Sequence, residues 1–281
     1  MEGKKVFITG ATSGIGKETA IALSKMGATI FMTARDKESG ERARQEIVSQ
    51  SGNNGIEVYE CDLSSFSSIR VCVEKFSQQE TSLDVLINNA GVGITTRELS
   101  KDGIELHFAV NFLAPFLLTH LLLPLLRKSE EGRIINVCST LHREGHIDFN
   151  DIESKEHFDH YKAYGNSKLA LLLFTKKLAK DLMGTSVTVN ALHPGVINTD
   201  LTKQMMGNTN PLVKKVYSLT MMSEKDGAKT SVYLASSEEV KGVSGEYFEK
   251  MKITESSPES YNMVVAEKIC EIAEQMTSLR K

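Results

Sequence analysis

The stretch TGATSGIGKETA, residues 9–20, decides the fold that this sequence predicts. It follows the apolar run KKVFITG (4–10) and leads into a segment with helical spacing. Gly10, Gly14 and Gly16 allow a tight turn and a close approach of the backbone to a pyrophosphate, whose charge the helix N-terminus then meets. We therefore expect a dinucleotide site here, and an ordinary glycine-rich turn between a strand and a helix is the alternative.

Short runs rich in β-branched residues alternate with helical patterns along most of the chain. The predicted strands cover residues 4–10, 28–34, 56–63, 83–90, 132–139 and 187–194. The helical patterns between them cover residues 17–27, 37–51, 67–80 and 104–127. Strands that alternate with helices form right-handed βαβ units and a parallel sheet. We predict an α/β fold with a single Rossmann-type domain over residues 1–281, a doubly wound parallel sheet with helices on both faces.

The composition is that of a soluble globular protein, because 41% of the 281 residues are hydrophobic, 25% are charged and the formal net charge is −3. Since there is no basic excess, we expect no nucleic-acid partner. The four cysteines are scattered without a CxxC pair, which is typical of reduced thiols, and we therefore expect a cytoplasmic protein.

The longest apolar stretch is FLAPFLLTHLLLPLL, residues 112–126, which contains a histidine and two prolines. It is shorter than the roughly 20 residues that a membrane-spanning helix needs, so we expect a buried helix. The sequence begins MEGKKVFITG, which has no apolar leader, and we expect no transmembrane segment.

The end of the second predicted strand bears on the type of dinucleotide. In MTARDKESG (32–40), Ala34 leaves the strand end uncharged and Arg35 follows it. An acidic residue at this point binds the ribose of NAD, whereas an arginine can pair with the additional phosphate of NADP. We expect NADP(H) as the cofactor, with NAD(H) as the alternative if Asp36 points inward. A third reading makes Arg35 a residue of a surface loop.

A second informative stretch is YKAYGNSKLALLLF, residues 161–174. Tyr164 and Lys168 are four residues apart, so they share one face of a helix. An ammonium close to a phenol favours the phenolate and lowers the phenol pKa from its ordinary value of about 10. The phenol can then exchange a proton with a carbonyl or an alcohol oxygen. The alternative is an amphipathic helix with a packed tyrosine and a solvated lysine.

Two polar residues elsewhere complete the predicted catalytic group. Ser139 ends the predicted strand GRIINVCS, and the carboxyl ends of strands line the ligand crevice of an open α/β sheet. Its hydroxyl could hold a substrate oxygen near Tyr164, or it could merely cap a helix. Asn111 lies in the otherwise apolar run AVNFLAPFLL, where a buried amide needs partners and could be purely structural.

Taken together, these residues resemble the short-chain dehydrogenase/reductase family over nearly the whole chain. The motifs that carry the resemblance are TGATSGIG (9–16), CDL (61–63), NNAG (88–91), VNFLAPFLLT (110–119), NVCS (136–139), YGNSK (164–168) and HPGVINT (193–199). Within the family the chain is most similar to the retinol dehydrogenase group, through ARD (34–36), NNAGV, the helix FLLTHLLLPLL and the long stretch between Ser139 and Tyr164.

The resemblance implies functional residues position by position. It makes Tyr164, Lys168, Ser139 and Asn111 the catalytic residues, with Lys168 also on the ribose and Asn111 on a water that links Lys168 to solvent. The cofactor-binding residues that it implies are Gly10, Thr12, Ser13, Gly14, Ile15, Gly16, Arg35, Asp62, Leu63, Asn89, Ala90, Gly91, Tyr164, Lys168, Pro194, Gly195, Val196, Ile197 and Thr199.

The chain also departs from the family in two ways. Cys138 stands where many relatives have a second serine, whereas Phe112 matches a position where an aromatic residue or a histidine is usual. Relatives closest to the vertebrate retinol enzymes often begin with a membrane-anchoring segment, which we do not expect here. This last departure weakens a specifically retinoid assignment.

The reaction that we predict is hydride transfer between NADP(H) and a carbonyl or alcohol carbon of a small apolar substrate, such as a retinoid-like molecule, an alkyl aldehyde or a ketone. The alternatives are an NAD-linked alcohol or steroid dehydrogenase and a non-catalytic dinucleotide sensor, although retention of the tyrosine, lysine and serine argues against a sensor. We expect substrate loops near 140–160 and 198–224. Four histidines in the first loop are expected to be contacts or surface residues, with no metal. Pairing into a homo-oligomer through helices near 104–127 and 162–181 is a further expectation.

Overall fold

A computed structural model of the chain describes residues 1–205, 207 and 221–279. The strands of these residues are β1 (Lys5–Ile8), β2 (Thr29–Ala34), β3 (Ile56–Glu60), β4 (Val85–Asn88), β5 (Gly132–Val137), β6 (Val187–His193), β7 (Tyr247–Glu249) and β8 (Lys252–Ile253). They form one sheet in the order β3-β2-β1-β4-β5-β6-β7-β8. Neighbouring strands are parallel except for β7 and β8. The strand order reverses between β1 and β4, which opens a crevice at their carboxyl ends.

Helices cover both faces of this sheet. The α-helices of the described residues are α1 (Gly14–Lys25), α2 (Lys37–Ser51), α3 (Phe66–Gln79), α4 (Leu106–Leu126, with a π-helical turn at Ala109–Leu113), α5 (His160–Asp181), α6 (Asp200–Met205), α7 (Glu224–Ser236) and α8 (Met263–Met276). Helices α1, α2 and α7 pack on one face, and α3, α4, α5 and α8 pack on the other. The α/β prediction with helices on both faces is confirmed.

The alternation of side chains along β1 separates the two cores. Val6 and Ile8 are fully buried among residues of α1, α2 and α7, whereas Phe7 is fully buried among residues of α3 and α4. Because both faces of the strand are covered, its sequence is a continuous apolar run. Burial on both faces therefore explains why β1 shows no polar alternation.

The sheet differs from the prediction at one edge. The six predicted strands are present, but the short strands β7 and β8 were not predicted, and β8 runs antiparallel to β7. The connecting residues Lys250 and Met251 have positive φ angles of 50° and 63°, a left-handed conformation that two-residue hairpins require. These two strands extend the predicted parallel sheet at this edge. The single-domain organisation over residues 1–281 stays a prediction.

The apolar helix α4 is a core helix of this fold. Among the described residues it is the one helix long and apolar enough to cross a membrane, yet 78% of its most apolar window is buried within the chain. It packs beside α3 and α5. Helix α8 packs against α5 and buries Ala266, Ile269 and Ala273. Self-association of the chain stays a prediction.

A chain of buried hydrogen bonds joins the centre of the sheet to the helices on one face. Nδ2 of Asn88 on β4 donates to Oγ1 of Thr119 at 3.0 Å and to Oδ1 of Asn136 on β5 at 2.8 Å. Nδ2 of Asn136 donates to Oγ1 of Thr175 at 2.8 Å. Since Thr119 belongs to α4 and Thr175 to α5, both helices are hydrogen-bonded to the two central strands.

Candidate active site

The glycine turn after β1 has a backbone that only glycines allow. Gly10 and Gly14 have φ angles of +67° and +60°. A Cβ atom on Gly10 would lie 2.8 Å from Cα of Ala90, and one on Gly16 would lie 2.2 Å from the carbonyl oxygen of Gly10. The turn is therefore compact on the side of the sheet and free of side chains at the three positions that the sequence singled out.

Asn89, which follows β4, holds this turn in place. Its Nδ2 donates to the carbonyl oxygens of Thr9 at 2.9 Å and Gly10 at 3.0 Å. The hydroxyl of Thr9 in turn accepts hydrogen bonds from the backbone N–H groups of Asn89 and Ala90, both at 3.1 Å. The predicted cofactor residues of β1 and β4 thus form one hydrogen-bonded unit.

The N-terminus of α1 fits a pyrophosphate. Ser13 precedes the helix with an extended backbone, but its side chain does not cap the helix, and the first turn of α1 contains no acidic residue. Among the described residues, the neighbours of an added Cβ on Gly14 are Cγ2 of Thr199 and Oε1 of Glu224, each at 3.7 Å. Thr12 and Ile15 are half-buried in the same turn. An uncapped helix N-terminus above a glycine turn provides the backbone donors that a phosphate needs.

The end of β2 carries an exposed cation and a capping carboxylate. Arg35 is exposed, and within the described part of the chain its guanidinium forms no ion pair. Asp36 accepts hydrogen bonds at 2.8 Å from the backbone N–H and at 2.7 Å from the hydroxyl of Ser39, and so it caps α2. These hydrogen bonds, that of the N–H above all, lower the pKa of Asp36. The inward-pointing Asp36 of the NAD(H) alternative is not the arrangement observed.

At the end of β3, the carboxylate of Asp62 is bonded to two neighbouring residues. Its carboxylate forms an ion pair with Lys101 at 2.8 Å and accepts hydrogen bonds from the N–H and hydroxyl of Ser64 at 2.9 and 2.7 Å. Leu63 is half-buried against the core formed with α3 and α4. Both residues follow β3 at the carboxyl edge of the sheet, and their contact with the cofactor stays a prediction.

Tyr164 and Lys168 lie on α5, and Asp159 caps the start of this helix by accepting from the N–H of Lys162 at 3.0 Å. Tyr164 and Lys168 are 6% and 3% exposed. Nζ of Lys168 lies 5.6 Å from the centre of the Tyr164 ring and donates to the carbonyl oxygen of Val137 at 3.0 Å. Ser139 follows β5; its hydroxyl accepts from the N–H of Leu141 at 3.3 Å and acts to lower the pKa of the Tyr164 phenol. The predicted tyrosine, lysine and serine are therefore brought together.

Burial controls the ionisation of this group. It raises the pKa of Tyr164 above its ordinary value, and the Cys138 thiol adds to the rise, whereas the Ser139 hydroxyl opposes it. Burial also lowers the pKa of Lys168 to about 8. The expected lowering of the phenol pKa by Lys168 is not found in the chain without a cofactor, where burial raises this pKa.

Asn111 lies in the π-helical turn of α4 with both amide atoms bonded. Its Oδ1 accepts from the N–H of Val92 at 2.8 Å, and its Nδ2 donates to the carbonyl oxygen of Val92 and the hydroxyl of Ser167, each at 3.1 Å. An added Cβ on Gly91 would lie 3.2 Å from Oδ1 of Asn111 and 3.5 Å from Nζ of Lys168. Asn111 and Lys168 therefore flank the same glycine, and the amide has the structural partners that the alternative reading required.

The segment after β6 closes the other side of the cleft. Gly195, between Pro194 and Val196, has a φ of +103°, and Ile197 is buried. The hydroxyl of Thr199 accepts from the N–H of Thr202 at 3.3 Å at the start of α6. Of the predicted substrate loop 198–224, residues 206 and 208–220 lie outside the described residues.

The predicted substrate loop 140–160 begins with a 3₁₀ helix, Thr140–Glu144. Nδ1 of the buried His142 donates to the carbonyl oxygen of Ser139 at 2.6 Å, and its Nε2 accepts from the N–H of Ser257 at 3.1 Å. Burial lowers the pKa of His142. Within residues 1–205, 207 and 221–279, no group of three histidine, cysteine or acidic side chains could hold a metal ion.

Comparison with known proteins assigns the chain to a family. A family model described as short chain dehydrogenase matches residues 4–210. Retinol dehydrogenase 14 from Homo sapiens is 41% identical over 298 residues, which cover 100% of this chain and 88% of that protein. The chain belongs to the short-chain dehydrogenase family. This short-chain dehydrogenase is also 40% identical to retinol dehydrogenase 12 from Homo sapiens, over 100% of the chain and 88% of the relative.

Solved structures support the same assignment. An uncharacterised protein from Mycobacterium paratuberculosis has a TM-score of 0.79 and 31% identity over 99% of this short-chain dehydrogenase and 94% of that chain. An NADP complex of RhlG from Pseudomonas aeruginosa has a TM-score of 0.72 and 27% identity, over 88% of this chain and 94% of that chain. An NADH complex of 3-ketoacyl-(acyl-carrier-protein) reductase from Brucella melitensis has a TM-score of 0.69 and 25% identity, over 88% of this chain and 96% of that chain. The protein is therefore an oxidoreductase that acts on CH–OH donors with NAD or NADP.

The sequence reasoning did not identify two buried polar residues of this short-chain dehydrogenase near Tyr164. Glu105 and His107, at the start of α4, are 2% and 0% exposed. The imidazole of His107 packs edge-on against Tyr164, with ring centres 5.9 Å apart. The signal was present, because two titratable residues interrupt the apolar run IELHFAV (104–110).

Proposed function

We propose that this short-chain dehydrogenase transfers hydride between NADP(H) and a carbonyl or alcohol carbon of a small apolar substrate, such as a retinoid-like molecule, an alkyl aldehyde or a ketone. The observation that carries the proposal is the grouping of Tyr164, Lys168 and Ser139 at the same sheet edge as a glycine turn that fits a dinucleotide. The names of the relatives, retinol dehydrogenases 14 and 12, support an apolar alcohol or aldehyde.

The preference for NADP(H) rests on the end of β2. Arg35 is an exposed cation with no carboxylate partner among the described residues, whereas the carboxylate of Asp36 caps α2. A guanidinium that is free to form a charged fork suits a phosphate on the ribose. A carboxylate already bonded to Ser39 is less available to a ribose hydroxyl.

Ser139, Tyr164 and Lys168 have different roles in proton transfer. In reduction, the hydroxyl of Ser139 donates to the substrate oxygen and Tyr164 gives that oxygen its proton; in oxidation Tyr164 takes the proton from the alcohol. A bound nicotinamide supplies or accepts the hydride. With a pKa of about 8, Lys168 is mostly charged at neutral pH, and its ammonium near the ring stabilises the phenolate that remains after proton donation. Asn111 fixes the backbone beside Lys168.

An apolar substrate suits the residues that face the cleft from α6. An added Cβ on Gly93 would lie 2.5 Å from Cγ of Met205 and 3.3 Å from Cδ2 of Leu201. One on Gly91 would lie 3.7 Å from Cδ1 of Leu201. Flexible apolar side chains beside small backbone positions accommodate a hydrocarbon chain and offer no partner to a charged group.

A cytoplasmic location is part of the proposal. All four cysteines are free, which supports a reducing compartment. Fractionation of cells that produce the protein tests the location. Recovery with membranes after a high-salt wash would contradict it.

The replacement Tyr164→Phe tests the reaction. It removes the proton donor and keeps the ring, so we expect kcat to fall by about 10²- to 10⁴-fold. The assay follows reduced nicotinamide consumed with alkyl aldehydes, steroids and quinones, and retinol formed from all-trans-retinal by chromatography. Tyr161→Phe is the matched control, because Tyr161 lies on the same helix and is 43% exposed. Near wild-type turnover by Tyr164→Phe would refute the proposal.

A further inference from the structure

Glu105 and His107 form a buried polar pair that the proposed mechanism does not use. The Glu105 carboxylate accepts hydrogen bonds from the backbone N–H groups of His107 at 2.9 Å and Phe108 at 2.7 Å, so it caps the start of α4. It also bonds Nδ1 of His107 at 2.9 Å. A carboxylate with three N–H donors has the partners that its burial requires.

These bonds fix the proton on the imidazole. Nε2 of His107 accepts the backbone N–H of Ile94 at 3.0 Å, and a ring nitrogen that accepts carries no proton. The single ring proton is therefore on Nδ1, directed at Glu105. Both nitrogens are occupied and the ring has one orientation.

In this orientation the imidazole lies between two aromatic rings. It stacks on Phe158 with ring centres 6.0 Å apart and planes inclined by 10°. Its other contact is the Tyr164 ring, at 5.9 Å and 88°. Edge-to-face contacts of this kind favour one relative position of the two rings.

His107 also acts together with Asn111 on the segment that follows β4. Asn111 bonds the N–H and the carbonyl oxygen of Val92, and His107 bonds the N–H of Ile94. Gly93, between them, lies against Met205 of α6. Two side chains of one helix thus hold alternate residues of a backbone segment that faces the cleft.

We propose that His107 is a positioning residue for the reaction: hydrogen-bonded to Glu105 and Ile94, it fixes the place of the Tyr164 ring and of segment 92–94 relative to the substrate. This inference rests on the role of Tyr164 in the proposed function. The bond to Ile94 is the main contribution, since without it the partly buried N–H of Ile94 loses its partner and the segment is free to shift.

Two replacements separate the ring from its hydrogen bonds. His107→Phe keeps an aromatic ring against Tyr164 but loses the bonds to Glu105 and Ile94. His107→Gln removes the ring but offers an amide oxygen near the position of Nε2, where it can accept from Ile94. We expect His107→Phe to lower kcat with all-trans-retinal and NADPH about 10- to 100-fold, with an unchanged dissociation constant for NADPH, and His107→Gln to recover most of this loss.

Asn190→Ala is the control for loss of stability alone. Asn190 is also buried, and its amide bonds the carbonyl oxygen of Val243 at 2.7 Å and the N–H of Glu246 at 3.0 Å, in the β6–β7 part of the sheet. The replacement Asn190→Ala should lower Tm but leave kcat per NADPH-binding site unchanged. Hydrogen exchange of a peptide that covers residues 88–98 adds a readout independent of turnover, and we expect it to accelerate in His107→Phe and to be restored in His107→Gln.

The outcomes separate this inference from the proposed function. Turnover lost in Tyr164→Phe but retained in His107→Phe overturns the positioning role and leaves the proposed function standing. Equal losses in His107→Phe and His107→Gln, or unchanged exchange of the 88–98 peptide, also overturn it. Turnover retained in Tyr164→Phe overturns both.

Discussion

The replacement Gly16→Ala should disable the dinucleotide site through one methyl group. That methyl would lie 2.2 Å from the carbonyl oxygen of Gly10 and 2.4 Å from Nδ2 of Asn89. Because such atoms pack at about 3.5 Å, the turn would have to move by about 1 Å. Both neighbours belong to the hydrogen-bonded unit that joins β1 to β4, so the movement would spread to Ala90.

Two magnitudes follow from this displacement. Overpacking of a tight site costs about 1–3 kcal/mol, which for a chain of this size corresponds to a decrease in Tm of about 2–10 °C. A shift of about 1 Å in a preformed site costs about 100-fold in function, and we expect a loss of that order in NADPH affinity.

The assay combines thermal unfolding followed by circular dichroism with titration of NADPH fluorescence. Gly52→Ala is the matched control, because Gly52 has a φ of +74° at the end of α2 and no atom within 4 Å of an added Cβ. Its backbone strain should lower Tm to a similar extent while NADPH affinity is unchanged. Wild-type NADPH affinity in Gly16→Ala would refute the reasoning.

Two further predictions concern cofactor choice and acid stability. Arg35→Ala should lower the ratio of kcat/KM for NADPH over kcat/KM for NADH by about tenfold or more, because charge-assisted hydrogen bonds to the phosphate are lost. Asp36→Ala is the control, and it should lower Tm without changing this ratio. An unchanged ratio in Arg35→Ala contradicts the phosphate contact. Burial raises the pKa of Asp84, but hydrogen bonds from Lys5, Ser129 and Lys4 outweigh this and lower it below its ordinary 3.8. The carboxylate should therefore stabilise the fold fully above about pH 4 and progressively less as the pH falls through the folded-state pKa. We expect the Tm difference between wild type and Asp84→Asn to become smaller in acid. A Tm difference that grows in acid contradicts the lowered pKa of Asp84.

The parts of the fold that sequence predicts best are those with local signals. Strands β1, β4 and β5 contain continuous apolar runs, and the glycine turn is fixed by backbone sterics at Gly10, Gly14 and Gly16. Strands β7 and β8 have three and two residues, too few for a periodicity, and their turn uses Lys250 and Met251 in place of glycine. No local signal marks them.

The ionisation of the site could not be predicted in the same way. The spacing of Tyr164 and Lys168 indicates a shared helix face, but their pKa values depend on how much solvent the whole fold removes. Likewise, the charge pattern ARD does not reveal that Asp36 caps α2. The structural partner of His107, the N–H of Ile94, is thirteen positions away and has no sequence signature.

The hydrogen-bonded chain from Thr119 through Asn88 and Asn136 to Thr175 has a consequence for how this enzyme can diversify. Apolar contacts let a helix slide along a sheet by small steps, but directional bonds between amides and hydroxyls do not. The helices that bear Asn111 and Tyr164 are therefore held in register with the central strands. New substrates should be acquired by changes in the rim segments, while the reacting groups keep their places.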